Sequence, residues 1–175
     1  MENHTVKPKY TVISKISESL EIVDLWGSQV IKPEDKVAYI PYLKEQGKIL
    51  LKYKDIPAFQ LKYPLIDKWL TVGQIGSVKT NIKESLAEGL VKDFGLTLVE
   101  SYEPEICNPI FLSTDSCGEY YICILPLMED EFVISQPQDG IPVAALSYGD
   151  LNSYMTYDMV TKYAMDLFRA KYSLF

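Results

Sequence analysis

One stretch, residues 76–96 (GSVKTNIKESLAEGLVKDFGL), constrains the fold more than any other part of this chain. Asn81 is suited to be an N-cap, because its side chain can accept a hydrogen bond from a free backbone N–H of the first turn. Glu84 follows at the capping-box position. Gly95 stands where a left-handed C-cap favours glycine. Apolar residues recur on one face at helical spacing: Ile82, Leu86, Ala87, Leu90, Val91 and Phe94. The stretch therefore predicts a capped amphipathic helix.

Size and charge restrict the class of protein. The 175 residues suffice for one domain with a hydrophobic core, and we expect residues 10–175 to form it behind a polar arm at residues 1–9. The formal net charge is −7 and no basic cluster is present, so duplex nucleic acid is excluded as a partner. No apolar run approaches the roughly 18 residues that cross a membrane. The first ten residues (MENHTVKPKY) lack the apolar core of a signal peptide.

Cysteine and histidine usage excludes several catalytic classes. The three cysteines, Cys107, Cys117 and Cys123, form no C-x-x-C pair, which favours reduced thiols in a cytoplasmic setting. The single histidine, His4, lies in the arm, so a Ser-His-Asp or Cys-His mechanism and a histidine-based metal site are excluded. The 13 tyrosines are explained either by half-buried strand positions or by a protein–protein surface, where tyrosine is enriched.

The flanks of the helix predict strands and a second long helix. Residues 10–16, 20–26 and 29–31 read as N-terminal strands, and residues 36–43 and 48–53 as a hairpin with Gly47 in its loop. Further strands are expected at residues 96–101, 107–112, 120–127 and 141–146, followed by a short helical turn at 149–154. Thr156 is expected to cap the final helix, whose apolar stripe is Met159, Val160, Tyr163, Ala164, Leu167 and Phe168.

The helix and its flanks together resemble the Nudix hydrolase superfamily, in particular its ADP-ribose-pyrophosphatase-like branch. The family's box reads R-E-U-x-E-E-x-G-U along the helix, where U is a bulky aliphatic residue. Aligning residues 95–96 with the closing G-U places residues 88–90 (EGL) on R-E-U and residues 92–93 (KD) on E-E. The resemblance implies an α/β (α+β) fold: a Nudix-like α/β/α sandwich with a mixed sheet, N-terminal strands and a C-terminal helix.

The resemblance also implies that the metal site of the box is degenerate. Three glutamates of the family's helix bind divalent metal ions, and their positions here carry Gly89, Lys92 and Asp93, while Glu88 stands at the arginine. Mg²⁺ requires several hard oxygen ligands, and a lysine would compete for the remaining carboxylates. Metal-assisted hydrolysis depends on that ion. We therefore predict that the fold is kept, that the reaction is lost and that no cofactor is bound.

Two other segments are similar to the family. Residues 37–41 (VAYIP) fit its V-x-x-(V/I)-P pattern, and residues 52–57 (KYKDIP) are similar to Q-Y-R-x-P, which places either Lys54 or Asp55 at a diphosphate-binding arginine. Residues 113–119 (STDSCGE) resemble S-P-G-x-S-x-E, which would make Glu119 a further metal-binding or catalytic acid. The alternative for Lys54 is a solvated lysine at the end of a strand, and the alternative for Glu119 is an ordinary loop carboxylate.

Three functional hypotheses follow. The first is a catalytically inactive protein that serves as a structural or interaction component of a larger, oligomeric assembly, such as a viral particle assembled in the cytoplasm. Its interface would be the apolar loop before the box, unless that loop packs on its own core: Phe59, Leu61, Tyr63, Leu65, Ile66 and Trp69.

The second hypothesis is a hydrolase of nucleoside-diphosphate derivatives such as ADP-ribose, with the catalytic set Glu84, Glu88, Asp93 and Glu119. In that case Glu88, Asp93 and Glu119 would hold Mg²⁺ or Mn²⁺. The third hypothesis is a nucleotide-binding module that does not cleave its ligand, in which Lys54 and Lys92 neutralise the phosphate charge.

Overall fold

The computed structural model describes residues 11–17, 20–25, 28–33, 36–54, 69–76, 81–99, 102, 104–106, 110–111, 119–153 and 158–172. The arm predicted for residues 1–9 lies outside these ranges. So do five of the six residues of the proposed interface loop, all except Trp69.

The N-terminal strands form a sheet of their own. Strands β1 (Thr11–Ser17), β2 (Leu20–Leu25) and β3 (Ser28–Pro33) pair antiparallel in that order. The three strands predicted from the β-rich N-terminal segments are therefore confirmed.

The central sheet is mixed and is built on the predicted hairpin. Strands β4 (Lys36–Leu43) and β5 (Lys48–Lys54) are joined by a loop in which Gly47 has φ +61°. Strand β11 (Glu119–Leu127) runs parallel to β4, and β13 (Val143–Ser147) runs antiparallel to β5. The short strands β6 (Trp69–Thr71) and β7 (Gly73–Ile75) pair with β5 and β4, and β9 (Glu105–Ile106) and β10 (Ile110–Phe111) pair with β11.

Three helices and a small second ladder complete the described fold. Helices α1 (Ile82–Phe94), α2 (Tyr148–Ser153) and α3 (Met159–Tyr172) follow the order that the sequence predicts. Strands β8 (Leu96–Leu98) and β12 (Phe132–Ile134) form a two-stranded antiparallel sheet. Among the described residues, no helix has both the length and the apolar character needed to span a membrane.

The central sheet separates two hydrophobic cores, because successive strand residues project to opposite faces. Along β4, Ala38 and Ile40 belong to the core against α2 and α3, whereas Val37 and Tyr39 belong to the core against α1. Along β5, Ile49 and Leu51 join the first core and Leu50 joins the second. The result is the predicted sandwich with helices on both faces of a mixed sheet.

Helix α1 begins and ends where the sequence predicts. The side chain of Asn81 accepts a hydrogen bond from the backbone N–H of Lys83 at 3.0 Å. Gly95 has φ +66° and donates its N–H to the carbonyl oxygen of Val91 at 3.1 Å, which closes the helix. Glu84 accepts a bond from the side-chain amide of Asn81 at 3.4 Å.

Several details of the sequence prediction require correction. Strand β8 ends at Leu98, three residues before the predicted end, and β6, β7, β9 and β12 were not predicted. Thr156 lies outside the described residues, and α3 is capped by Asp158, which accepts from the N–H of Thr161 at 3.0 Å. Met159 and Tyr163 are exposed. The buried stripe of α3 is instead Val160, Thr161, Ala164, Met165 and Phe168.

Candidate functional site

Four side chains meet where the last turn of α1 packs on the central sheet. The ammonium Nζ of Lys52 donates a hydrogen bond to Oδ1 of Asp93 at 2.7 Å and another to Oδ2 of Asp139. The hydroxyl of Tyr39 donates to the second oxygen of Asp93, Oδ2, at 2.6 Å. We call Tyr39, Lys52, Asp93 and Asp139 the Lys52 cluster.

Strand alternation and helix periodicity place three of these residues. Tyr39 and Lys52 project from β4 and β5 toward α1, because their strand neighbours, among them Leu51, project toward α3. Asp93 lies seven residues after the buried Leu86 and three after the buried Leu90, which places it on the inward face of α1.

A tight turn before β13 places the second carboxylate of the cluster, that of Asp139, beside Lys52. The N–H of Gly140 donates to the carbonyl oxygen of Pro137 at 3.1 Å, and Gly140 has φ +66°. The second oxygen of Asp139 accepts the N–H of Ile141 at 2.9 Å. The backbone N–H of Asp139 donates to the carbonyl oxygen of Lys92 at 3.3 Å. The turn is thus tied to the end of α1 through its backbone and to Lys52 of β5 through the Asp139 side chain.

The charges of the cluster are shielded from water. The side chains of Lys52, Asp93 and Asp139 are only 11%, 9% and 15% exposed. Burial by itself would lower the pKa of Lys52, but the hydrogen bonds that its ammonium donates to Asp139 and Asp93, together with their charges, outweigh burial and the pKa is raised. Burial by itself would raise the pKa of Asp139, but the bond from Lys52 and the N–H of Ile141 hold it below its usual value. Both groups therefore stay charged at neutral pH.

Tyr39 fills the space beside Gly89. Burial first, and then the charge and hydrogen bond of Asp93, raise the pKa of Tyr39 far above its usual value, so the phenol stays protonated and donates. A Cβ built on Gly89 would lie 2.6 Å from the Tyr39 hydroxyl oxygen. The ring of Tyr39 also meets Phe94 edge-on, with centroids 5.8 Å apart. A glutamate at position 89, as in the family's box, does not fit unless Tyr39 moves.

The described residues do not fit the divalent metal that the fold family implies. Both oxygens of Asp93 are engaged, one by an ammonium and one by a phenol. Glu84 and Glu88 are exposed on α1, away from the buried Asp93. Within the described ranges, no three His, Cys, Asp or Glu residues are grouped so that they could hold a metal ion. Glu119 begins β11, and its side chain lies outside what the structure describes.

The remaining predicted site residues are dispersed. Lys54 and Lys92 are both exposed, at the end of β5 and in the last turn of α1. Trp69 lies in β6 and is only 6% exposed. It therefore packs within its own chain, which is the alternative that the sequence left open for the apolar loop.

Sequence reasoning missed Tyr39, Lys52 and Asp139. Two signals pointed toward the cluster. Lys52 interrupts the apolar run of β5 at a position of the same parity as Leu50, and Asp93 shares the helical spacing of Leu86 and Leu90. A charged residue at a core-facing position normally requires a partner of opposite charge. Asp139 gives no such signal, because it stands in a polar loop.

An open apolar cleft of about 450 Å³ lies next to the cluster. Its floor includes Leu50, Phe94 and Leu96, and its rim is formed by residues 134–137 and 140–143. Phe94 and Gly140 each adjoin a carboxylate of the Lys52 cluster in sequence, so the cleft and the cluster share the same turn.

Comparison with solved structures identifies the fold. A MutT structure from work on Aliivibrio salmonicida and Vibrio cholerae superposes with a TM-score of 0.51 and 13% identity, over 76% of this chain and 97% of that chain. An ADP compounds hydrolase superposes with a TM-score of 0.58 and 11% identity, over 94% of this chain and 92% of that chain. Both are Nudix hydrolases. The chain therefore has a Nudix-like fold, as the sequence resemblance implied.

The likeness extends to the fold alone, because both identities are low. Neither protein-family models nor curated protein sequences gave a match to the chain.

Proposed function

We propose that this protein uses a Nudix-like fold for binding and not for metal-dependent hydrolysis, as a structural or interaction component of a larger assembly. The observation that carries the proposal is the ammonium of Lys52, held between Asp93 and Asp139. Asp93 occupies the position of a metal-binding glutamate in the family's box. Its charge is offset here by a cation that belongs to the chain itself.

Competition between Lys52 and a metal ion favours the lysine. A divalent ion that used Asp93 would have to displace an ammonium that is nearly buried and bonded to two carboxylates. The ammonium would then keep only Asp139 as its partner, and the lost hydrogen bond to a charged group is worth about 1.5–3 kcal/mol. The ion would gain few protein ligands in return, because positions 89 and 92 carry Gly89 and Lys92.

A binding role is supported by apolar side chains that the described fold leaves in water. Val133 and Ile134 are 65% and 67% exposed although they are neighbours in one strand. An exposed apolar strand can serve as a template for pairing with another chain. A viral particle remains our example of such an assembly, and the 13 tyrosines suit an interface.

The two alternatives make different demands. The hydrolase hypothesis requires Asp93 to leave Lys52 and Tyr39 and to join exposed glutamates of α1. The nucleotide-binding hypothesis requires no rearrangement, because Lys54 and Lys92 are exposed. Like our proposal, the nucleotide-binding hypothesis involves no hydrolysis. The two differ only in the ligand, which is a nucleotide in one and a protein partner in the other.

The test is a hydrolysis screen with Mg²⁺ and with Mn²⁺ against ADP-ribose, dinucleotides and nucleoside triphosphates, with an active Nudix hydrolase as positive control. We expect no turnover above that of the Glu88→Ala and Asp93→Asn variants. Turnover that either substitution abolishes would replace our proposal with the hydrolase hypothesis. Calorimetric binding of a nucleotide without turnover, weakened by Lys92→Ala, would favour the nucleotide-binding hypothesis.

A further inference from the structure

Strand β12 has one edge to which no described strand is paired. Its other edge pairs with β8. Flanking hydrogen bonds fix the direction of each backbone group: Val99 N–H donates to the Glu131 carbonyl at 2.9 Å, and Ser135 N–H donates to the Gly95 carbonyl at 2.7 Å. Since alternate residues of an antiparallel strand bond to the same neighbour, Phe132 and Ile134 direct their backbone N–H and C=O groups to the open edge.

Apart from its length of three residues, this edge has none of the features within the strand that protect exposed edges. Edge strands usually carry charges, proline or a bulge that discourages pairing with another chain. Strand β12 reads Phe-Val-Ile, its pairing with β8 continues without a register shift, and both Val133 and Ile134 are largely exposed. An extended peptide can add to such an edge through its main chain.

The apolar cleft beside β12 offers space for a side chain of the added strand. Ile134 lies directly opposite Leu96 across the ladder, so both side chains project to the same face. Leu96 is buried at the bottom of the cleft, and Ile134 forms part of its rim. A bound strand at the open edge would therefore lie alongside an apolar recess of about 450 Å³.

The charge around β12 indicates the sign of the partner. The strand is preceded by a turn in which the N–H of Glu131 donates to the carbonyl of Met128 at 3.0 Å. Glu129 and Asp130, at the corners of this turn, are exposed. The whole chain carries a formal charge of −7, so a second copy of it would be repelled and a basic segment attracted.

We propose that β12 is the docking edge for an extended segment of a partner protein. The segment adds as a strand, places an apolar side chain in the cleft and sets a basic residue against Glu129 and Asp130. The inference rests on the proposed binding function, and its cleft adjoins the Lys52 cluster, but none of the four side chains of that cluster lines the cleft. It is therefore tested without any assay of hydrolysis.

The probes are three fluorescent peptides of about nine residues, long enough for one strand. The first alternates valine and threonine and has lysine at both ends, the second has glutamate at both ends, and the third is the lysine peptide with a central proline. We expect the full-length chain to bind the first, by fluorescence anisotropy, about tenfold or more tightly than the other two. Equal binding of the proline peptide would overturn the proposal, because a strand cannot pair through that residue.

Variants of the protein locate the site. Ile134→Pro removes an N–H that faces the open edge and should weaken binding of the lysine peptide about tenfold or more. Val133→Thr, on the opposite face of the strand, should leave it within about twofold. Glu129→Lys with Asp130→Lys should reverse the preference between the lysine and glutamate peptides, and this exposed pair keeps the test valid if Ile134→Pro fails to fold.

Two further outcomes would overturn the proposal. One is unchanged binding by both the Ile134→Pro chain and the Glu129→Lys/Asp130→Lys chain. The other is a concentration-dependent dimer of the peptide-free chain that Ile134→Pro abolishes, since the occupant of the edge would then be a second copy.

Discussion

Replacing Lys52 with methionine removes the cation of the Lys52 cluster and keeps an unbranched side chain of similar length. Two nearly buried carboxylates, Asp93 and Asp139, are then left without a counter-charge. Removing one partner of a buried ion pair costs about 3–5 kcal/mol. We expect a loss of about 3 kcal/mol, at the lower end, because Asp139 retains some contact with water. For a chain of this length the melting temperature should fall by about 6–12 °C.

A second variant separates charge from packing. Asp93→Asn in the Lys52→Met background removes one of the two uncompensated charges and keeps an acceptor for the Tyr39 hydroxyl. The double variant should therefore be more stable than Lys52→Met alone, by about 1–2 kcal/mol. Urea unfolding of the wild type, the two single variants Lys52→Met and Asp93→Asn, and the double variant at equal ionic strength gives the coupling free energy directly.

The difference in unfolding free energy between the wild type and Lys52→Met should depend on pH. In the wild type the pKa of Asp139 is lowered, so its contribution to stability is complete above the unfolded value of about 3.9 and is lost as pH falls through the folded value. In Lys52→Met the carboxylates lack a cation, so the pKa of Asp139 is no longer lowered by Lys52, and protonation relieves the repulsion. The stability gap between wild type and variant should narrow from pH 7 to pH 5. A gap below about 0.5 kcal/mol at pH 7, or a double variant no more stable than the single one, would refute the reasoning.

Three further predictions concern two glycines and one helix N-cap. Gly89→Ala should destabilise the wild type, because its Cβ meets the Tyr39 hydroxyl oxygen at 2.6 Å, and should cost less in a Tyr39→Phe background, where the closest remaining contact is the ring carbon Cζ at 3.0 Å and the gain in helix propensity of about 1 kcal/mol offsets more of the strain; equal effects in both backgrounds would contradict the contact. Gly95→Ala should cost about 2–3 kcal/mol against about 1 kcal/mol for Gly47→Ala, because both glycines have positive φ but only Gly95 faces a backbone carbonyl. Asp158→Ala should cost about 1 kcal/mol in chemical unfolding, as loss of a helix N-cap.

Features set by neighbouring residues could be predicted from the sequence. Helix α1 has its N-cap, apolar face and C-cap within a short stretch, and all three lie where expected. The hairpin of β4 and β5 follows from two apolar runs and Gly47. The sequence missed Thr161 as part of the buried stripe of α3. Its hydroxyl donates to Asp158 and accepts the backbone N–H of Val72, which lets a threonine enter the core where an apolar residue was expected.

Features set by distant contacts could not be predicted. The bonds of the Lys52 cluster join residues 41, 54 and 87 positions apart. They depend on which face of β5 meets α1 and on the turn that carries Asp139. Strands β6 and β7 are three residues each and are defined by their partners in the central sheet, because segments that short show no periodicity.

Gly89, Tyr39 and Lys52 form one interdependent arrangement. In a Nudix box, divalent ions neutralise the negative charge of the helix carboxylates. Here the ammonium of Lys52, which lies on the central sheet, neutralises Asp93 of the helix. Tyr39 satisfies the other oxygen of Asp93, and it can do so because Gly89 has no side chain to displace it. A glutamate restored at position 89 would meet Tyr39, and a metal would still meet Lys52. Under our proposal the departures from the box therefore support one another, and no single substitution at these positions would create the metal site.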